Sequence, residues 1–198
     1  MSDDQHQVRI EETDGRRRRS QDSRARIVDA LIRLTRAGEL SPSAEMVAAH
    51  AGVGLRTVFR HFSDMEGLYR EMTEVVESHI RTIALRPFKG ETWRERVLEM
   101  CERRGEGFEF IGPFRRASDL RRHASLVLQD DHERLTGTLR LLLLREIPGD
   151  AIDTPGLEAL DLLLSYEAWS RLRREQALAP EEARRVLERA IRAIIGAP

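Results

Sequence analysis

An all-α protein is what the sequence predicts, and three observations carry the prediction. Alanine, leucine, glutamate and arginine dominate while aromatics make up only 5% of the chain, so strand formers are scarce. Apolar residues recur at helical spacing, as in Ile27, Ala30, Leu31 and Leu34. Glycine and proline clusters interrupt these runs at short intervals. At 198 residues the chain is near the upper limit for one compact domain or suits a small domain plus a medium one.

Residues 1–23 lack periodicity and hold the run Arg16, Arg17, Arg18 and Arg19, so they are expected to form a flexible basic arm. A first helix starts at Arg24 and stops at Gly38. Ser41 can cap a short second helix with Pro42 at its first position; Val47, Ala48 and Ala51 share one side before Gly52 ends it. After the turn "AGVG", Leu55 to Phe62 makes another short helix, with Val58 and Phe62 turned inward over Val53. Two short helices joined by a tight glycine turn are a helix-turn-helix. Ser63, with Glu66 three residues later, can open a fourth helix that ends before Pro87 and is long enough to connect two domains.

Breaks at "RPFKGE", "FIGPF", "IPGDAIDTPG" and "LAPEE" then predict helices over Thr92 to Phe110, Phe114 or Ala117 to Arg145 (whole or split near Arg122), Pro155 to Ala177, and Pro180 to Ile195. Their lengths and short links describe a bundle. In the last one Ala183, Val186, Leu187, Ala190, Ile191 and Ile194 form a stripe that buries one face. The helix before it is apolar over a wider arc through Leu157, Leu160, Leu162, Leu163, Leu164, Tyr166, Ala168 and Trp169, a surplus that a second chain would cover.

Charge is unevenly placed. The net charge is −1, yet from Arg16 to Phe62 ten arginines stand against Asp22, Asp29, Glu39 and Glu45, a local excess that attracts polyanions. On the third helix the packing of Val58 and Phe62 leaves Leu55, Arg56, Thr57, Phe59, Arg60 and His61 for the outer surface. Arg56 and Thr57 stand at its N-terminus, where a recognition helix reaches base edges: the arginine fork fits guanine, and threonine offers a hydroxyl or a methyl. Arg60 and His61 are placed for the phosphate backbone, and Arg16 to Arg19 with Arg24 and Arg26 add salt-sensitive contacts.

The stretches "RARIVDALIRLTRAG" and "VAAHAGVGLRTVFRHF", followed by a helix with "EGLY", resemble the DNA-binding domain of the TetR family of transcriptional repressors over residues 24–70. The resemblance implies a homodimer on a palindromic double-stranded DNA operator, with residues 71–198 forming a helical regulatory domain that binds a small-molecule inducer and dimerises through its last two helices. It adds Ser43 to the DNA-contacting set, and it implies no cofactor and no catalytic residue. Three positions depart from the family pattern: Phe59 replaces a usual tyrosine, Met65 a usual lysine, and Gly54 a frequent serine or threonine. The first two remove phosphate-binding groups and put more of the positioning on Arg60, His61 and the arm.

For the inducer, Trp93, Met100, Cys101, Phe108, Phe110, Phe114, Tyr166 and Trp169 are the residues that could wall an apolar cavity, although core packing explains each equally well. The only cysteine is Cys101, which excludes an intrachain disulfide. Two other functions would draw on different features. A helical metal-dependent hydrolase would use His123, Asp130, Asp131 and His132, but their spacing matches no ligand set and no metal is expected. An interaction protein with reduced DNA binding would keep the helix-turn-helix as a scaffold. The N-terminal residues hold no apolar leader-like stretch, and the longest apolar run, "LRLLLLREI", is too short to span a bilayer. A cytoplasmic protein without a membrane partner is expected.

Overall fold

The computed structural model describes the backbone of residues 2–120 and 126–196, and the side chains of residues 17–120, 128–130 and 132–196. Helix is the regular structure throughout these residues: α1 (Ser2–Arg36), α2 (Ala44–Ala51), α3 (Leu55–His61), α4 (Met65–Ala84), α5 (Trp93–Asp119), α6 (Leu126–Glu146), α7 (Thr154–Leu163), α8 (Tyr166–Ser170) continuing into a π-helical turn (Arg171–Glu175), and α9 (Pro180–Ile195). The chain divides into two compact units, Met1–Val76 and Glu77–Pro198, with the boundary inside α4.

In the first unit α1 begins at Ser2 rather than Arg24, so the segment expected to be an irregular arm is helical. Its residues contain no proline, and once a helix is nucleated by the packed stretch from Ile27 onward, each added residue gains a backbone bond without needing burial. Ile27, Leu31, Val47, Val58 and Leu68 are almost fully enclosed and form the centre of this core. Capping differs from expectation at two places. Ser43, not Ser41, caps α2: its hydroxyl accepts from the Met46 amide at 3.3 Å, and the Pro42 that separates the two serines is buried. Asp64, not Ser63, opens α4 by accepting from the Gly67 amide at 2.8 Å; a carboxylate suits the positive end of the helix better than a hydroxyl. Gly52 closes α2 in the left-handed region at φ 63°, which is why a glycine stands there.

In the second unit Val97, Leu143, Leu160, Leu164 and Ile191 are fully enclosed. The predicted break at "FIGPF" does not occur, and α5 runs through Pro113 to Asp119. Proline there removes one intrahelical bond, and the burial of Ile111, Phe114 and Ala117 on the same turns outweighs its cost. The single helix expected over Pro155 to Ala177 is instead two: Leu164 ends α7, and the Ser165 hydroxyl accepts from the Ala168 amide at 3.2 Å to cap α8. On α9 the buried stripe is Ala183, Leu187, Ile191 and Ile195, while Val186 is exposed. Leu162 on α7 is also left open, at 65%.

Close packing of α5 against α8 explains one glycine. A Cβ at Gly105 would meet the Trp169 ring at 2.8 Å, and that ring is buried with its Nε1 donating to Glu109 at 2.8 Å. Gly105→Ala should therefore destabilise the protein by about 1–3 kcal/mol in urea unfolding through overpacking, although alanine is the better helix former. Gly137→Ala on α6 meets nothing within 4 Å and should stabilise by about 0.5–1 kcal/mol.

Candidate functional site

The helix-turn-helix is held from behind by arginines of α1. The Arg26 guanidinium donates to the carbonyls of Ala51 and Gly52, and Arg33 donates to the His50 carbonyl at 3.3 Å, so both satisfy the open C-terminal end of α2. Arg24 does the same for α3: it donates to the His61 carbonyl at 2.7 Å, pairs with Glu71, and lies 4.3 Å from the centre of the Phe62 ring. Arg24 thus acts as a structural clamp, which limits the DNA-contacting role expected of it. Ser43 likewise spends its acceptor on the α2 cap.

On the outer side of α3, Leu55, Arg56, Phe59 and Arg60 are exposed and Thr57 is half-buried. Phe59 is 48% exposed, a large aromatic face left open on the helix. Arg17, Arg18 and Arg19 are exposed on α1, while the Arg16 side chain lies outside the described residues. His61 differs from expectation. Its Nε2 is buried without a hydrogen-bond partner, and burial together with the positive charges of Arg60 and Arg24 pulls its pKa below the ordinary 6.5, against a weaker opposite pull from Glu71. A neutral, inward ring is a poor phosphate ligand, so Arg60 carries the charge at the end of this helix.

The second unit holds a cavity of about 210 Å3. Of the residues expected to line one, Met100 and Phe108 do. Tyr166 and Trp169 face a separate polar cleft with Phe108, Glu109, Arg116, Arg173 and Arg174. Trp93, Cys101, Phe110 and Phe114 border neither; Phe110 stacks on His79 with centroids 4.0 Å apart. The apolar walls that the expected set did not include are Phe88 and a larger aliphatic group: Ile80 and Ile83 of α4, Ile111 of α5, and Leu135, Leu139 and Leu142 of α6. The i, i+3 and i+4 apolar spacing on these helices is visible in the sequence, but it reads as core. Cys101 is buried, and burial with the nearby Glu188 pushes its thiol up to about 12 despite Arg104 and Arg184.

Among the described residues no group of three or more His, Cys, Asp or Glu side chains could hold a metal ion; His123 and the Asp131 side chain lie outside them. Among the same residues no helix is long and apolar enough to cross a membrane.

Two titrations check these environments. The His61 ring should titrate below 6.5 by NMR. Because its folded pKa is depressed, the unfolded chain binds the proton first, and the stability His61 contributes should be full above pH 6.5 and fall as the pH drops below it. Cys101 should resist a thiol reagent at pH 8 in the folded protein and react fully once urea unfolds it, as expected for a thiol with a pKa of about 12.

No family model and no curated protein matches the sequence. Solved structures do. One from Rhodococcus sp., described as a TetR-family transcriptional regulator, shares 18% identity with a TM-score of 0.67, covering 87% of this chain and 98% of the other. A transcriptional regulator from Rhodococcus sp. Rha1 shares 20% identity with a TM-score of 0.67, covering 87% and 96%. A TetR transcriptional regulator from Rhodococcus sp. RHA1 shares 17% identity with a TM-score of 0.52, covering 90% and 98%. Over nearly its whole length, the chain has the all-α fold of TetR-type regulators.

Proposed function

We propose that this protein is a ligand-responsive transcriptional regulator of the TetR type, a repressor that binds a palindromic operator as a homodimer and is released by a small-molecule inducer. One observation carries the reading: a helix-turn-helix braced from behind by Arg24, Arg26 and Arg33 presents Leu55, Arg56, Phe59 and Arg60 to solvent. A helix fixed in this way has the exposed cationic and apolar groups that base edges and phosphates require. Arg56 would read a guanine, Phe59 would contact a thymine methyl or a sugar, and Arg60 with Arg17, Arg18 and Arg19 would position the helix on phosphates. Exposed Leu162 on α7 and Val186 on α9 support pairing of two copies through the C-terminal helices.

The effector site is the cavity bordered by α4, α5 and α6. The helix α4 supplies Leu68 and Met72 to the first core and Ile80 and Ile83 to the cavity, so a ligand that favours one setting of its C-terminal half would shift the dimer toward a half-site spacing that no longer fits the operator. No catalytic step is needed for this role.

Selection from a random pool of double-stranded DNA tests the proposal, with two half-sites about one helical turn or more apart as the expected result; no enriched sequence at low salt refutes it. On the selected operator, Arg56→Ala should cost about 1–3 kcal/mol and relax preference at a single base pair. Replacing Arg17, Arg18 and Arg19 by glutamine should instead weaken binding to every sequence. The slope of log affinity against log salt should also flatten, by about 0.9 for each phosphate that is no longer neutralised.

A further inference from the structure

The charged residues on the cavity wall are unequally compensated. Arg103 donates to the carbonyls of Arg86 and Pro87, pairs with Glu99 at 3.2 Å, and lies 4.0 Å from the Phe88 ring centre. Glu146 is held by the Arg96 Nε at 2.6 Å. Arg145 also borders the cavity but is exposed, so its charge stays in water, whereas Arg104 is buried. Only 7% exposed, it donates to the Leu164 carbonyl at 2.9 Å and to the Leu139 carbonyl, and no carboxylate lies within ion-pair distance among the described residues. Asp161 favours its charged form from farther away, but that carboxylate is already bound by Arg140 at 2.8 Å.

Burial lowers the Arg104 pKa only to about 10, so the guanidinium remains a cation at neutral pH. Two neutral carbonyls use two of its five donors. A buried cation beside an apolar space, with donors to spare, discriminates strongly: it repels ligand cations, gains little from neutral groups, and pairs with a planar anion through its fork.

We infer that the cavity takes a monoanionic amphiphile, a carboxylate on an apolar body, with the carboxylate meeting Arg104 and the body lying among Ile80, Ile83, Phe108, Ile111 and Leu142. The inference rests on the reading of this cavity as the effector site. Its size sets the body: a 150 Å3 apolar cavity holds benzene, so about 210 Å3 suits about eight carbons.

The test is calorimetric titration of the full chain with octanoate, 1-octanol and octylammonium. Octanoate is expected to bind at least tenfold tighter than 1-octanol, with no binding of octylammonium. Arg104→Gln should abolish that preference while keeping the affinity for 1-octanol, and Leu142→Trp, which fills the cavity, should remove both while circular dichroism stays unchanged. The comparison in the unaltered protein decides whether the cavity selects an anion even if Arg104→Gln does not fold, and Arg104→Lys, which keeps the charge, then tests the fork at that position. Equal binding of octanoate and 1-octanol overturns the anionic assignment and leaves the effector site standing, and a preference that persists in a folded Arg104→Gln overturns the placing of the carboxylate at Arg104. Binding of neither overturns both the assignment and the effector reading, while the operator selection judges the DNA-binding role separately.

Discussion

The first unit depends on arginine forks that meet the carbonyl ends of helices. Helices as short as α2 and α3 are marginal by themselves, and each ends with carbonyls that have no partner within the helix. Arg26 and Arg33 take those of α2, and Arg24 takes one of α3 while Glu71 and Phe62 hold Arg24 in place. Each contact joins a hydrogen bond to a favourable charge at the negative end of a helix dipole. The outer face of α3 is therefore fixed by side chains that point away from it. A lysine at any of these positions would keep the charge and lose the geometry.

The second unit uses the same device under a heavier constraint. Arg104 joins the carbonyls of Leu139 and Leu164, tying α6 to the end of α7, but it does so while buried. The carbonyls occupy two of its donors without neutralising the charge. In the first unit the cost of desolvation is small because Arg24 stays partly in water; in the second it is large, and it falls beside an apolar cavity.

Much of the fold was legible in the sequence because periodicity and punctuation agreed. The packed stretch of α1, the turn at Gly52, the inward Val58 and Phe62, and the Ala183, Leu187 and Ile191 part of the α9 stripe are each set by local pattern. The departures have separate physical causes. Ser41 and Ser43 are both good caps, and only the burial of Pro42 between them decides which one works. Pro113 reads as a break because the packing that retains it comes from residues distant in sequence. By charge alone the ten arginines from Arg16 to Phe62 look alike, yet which way a guanidinium turns depends on where carbonyls are left open in the folded chain. The cavity was hidden because its aliphatic walls obey the same spacing as a core, and most of the aromatics that looked like walls fill space elsewhere.

The contact between Gly105 and Trp169 has a consequence for how this lineage can change. A side chain at Gly105 cannot be accommodated unless Trp169 gives way, so a larger residue there must arrive with or after a smaller one at position 169. The walls contributed by Leu135, Leu139 and Leu142 carry no such bond to one another, and single changes of volume among them can be tolerated one at a time. Selection can thus retune what enters the second unit in small steps while the lock between α5 and α8 preserves the frame around it.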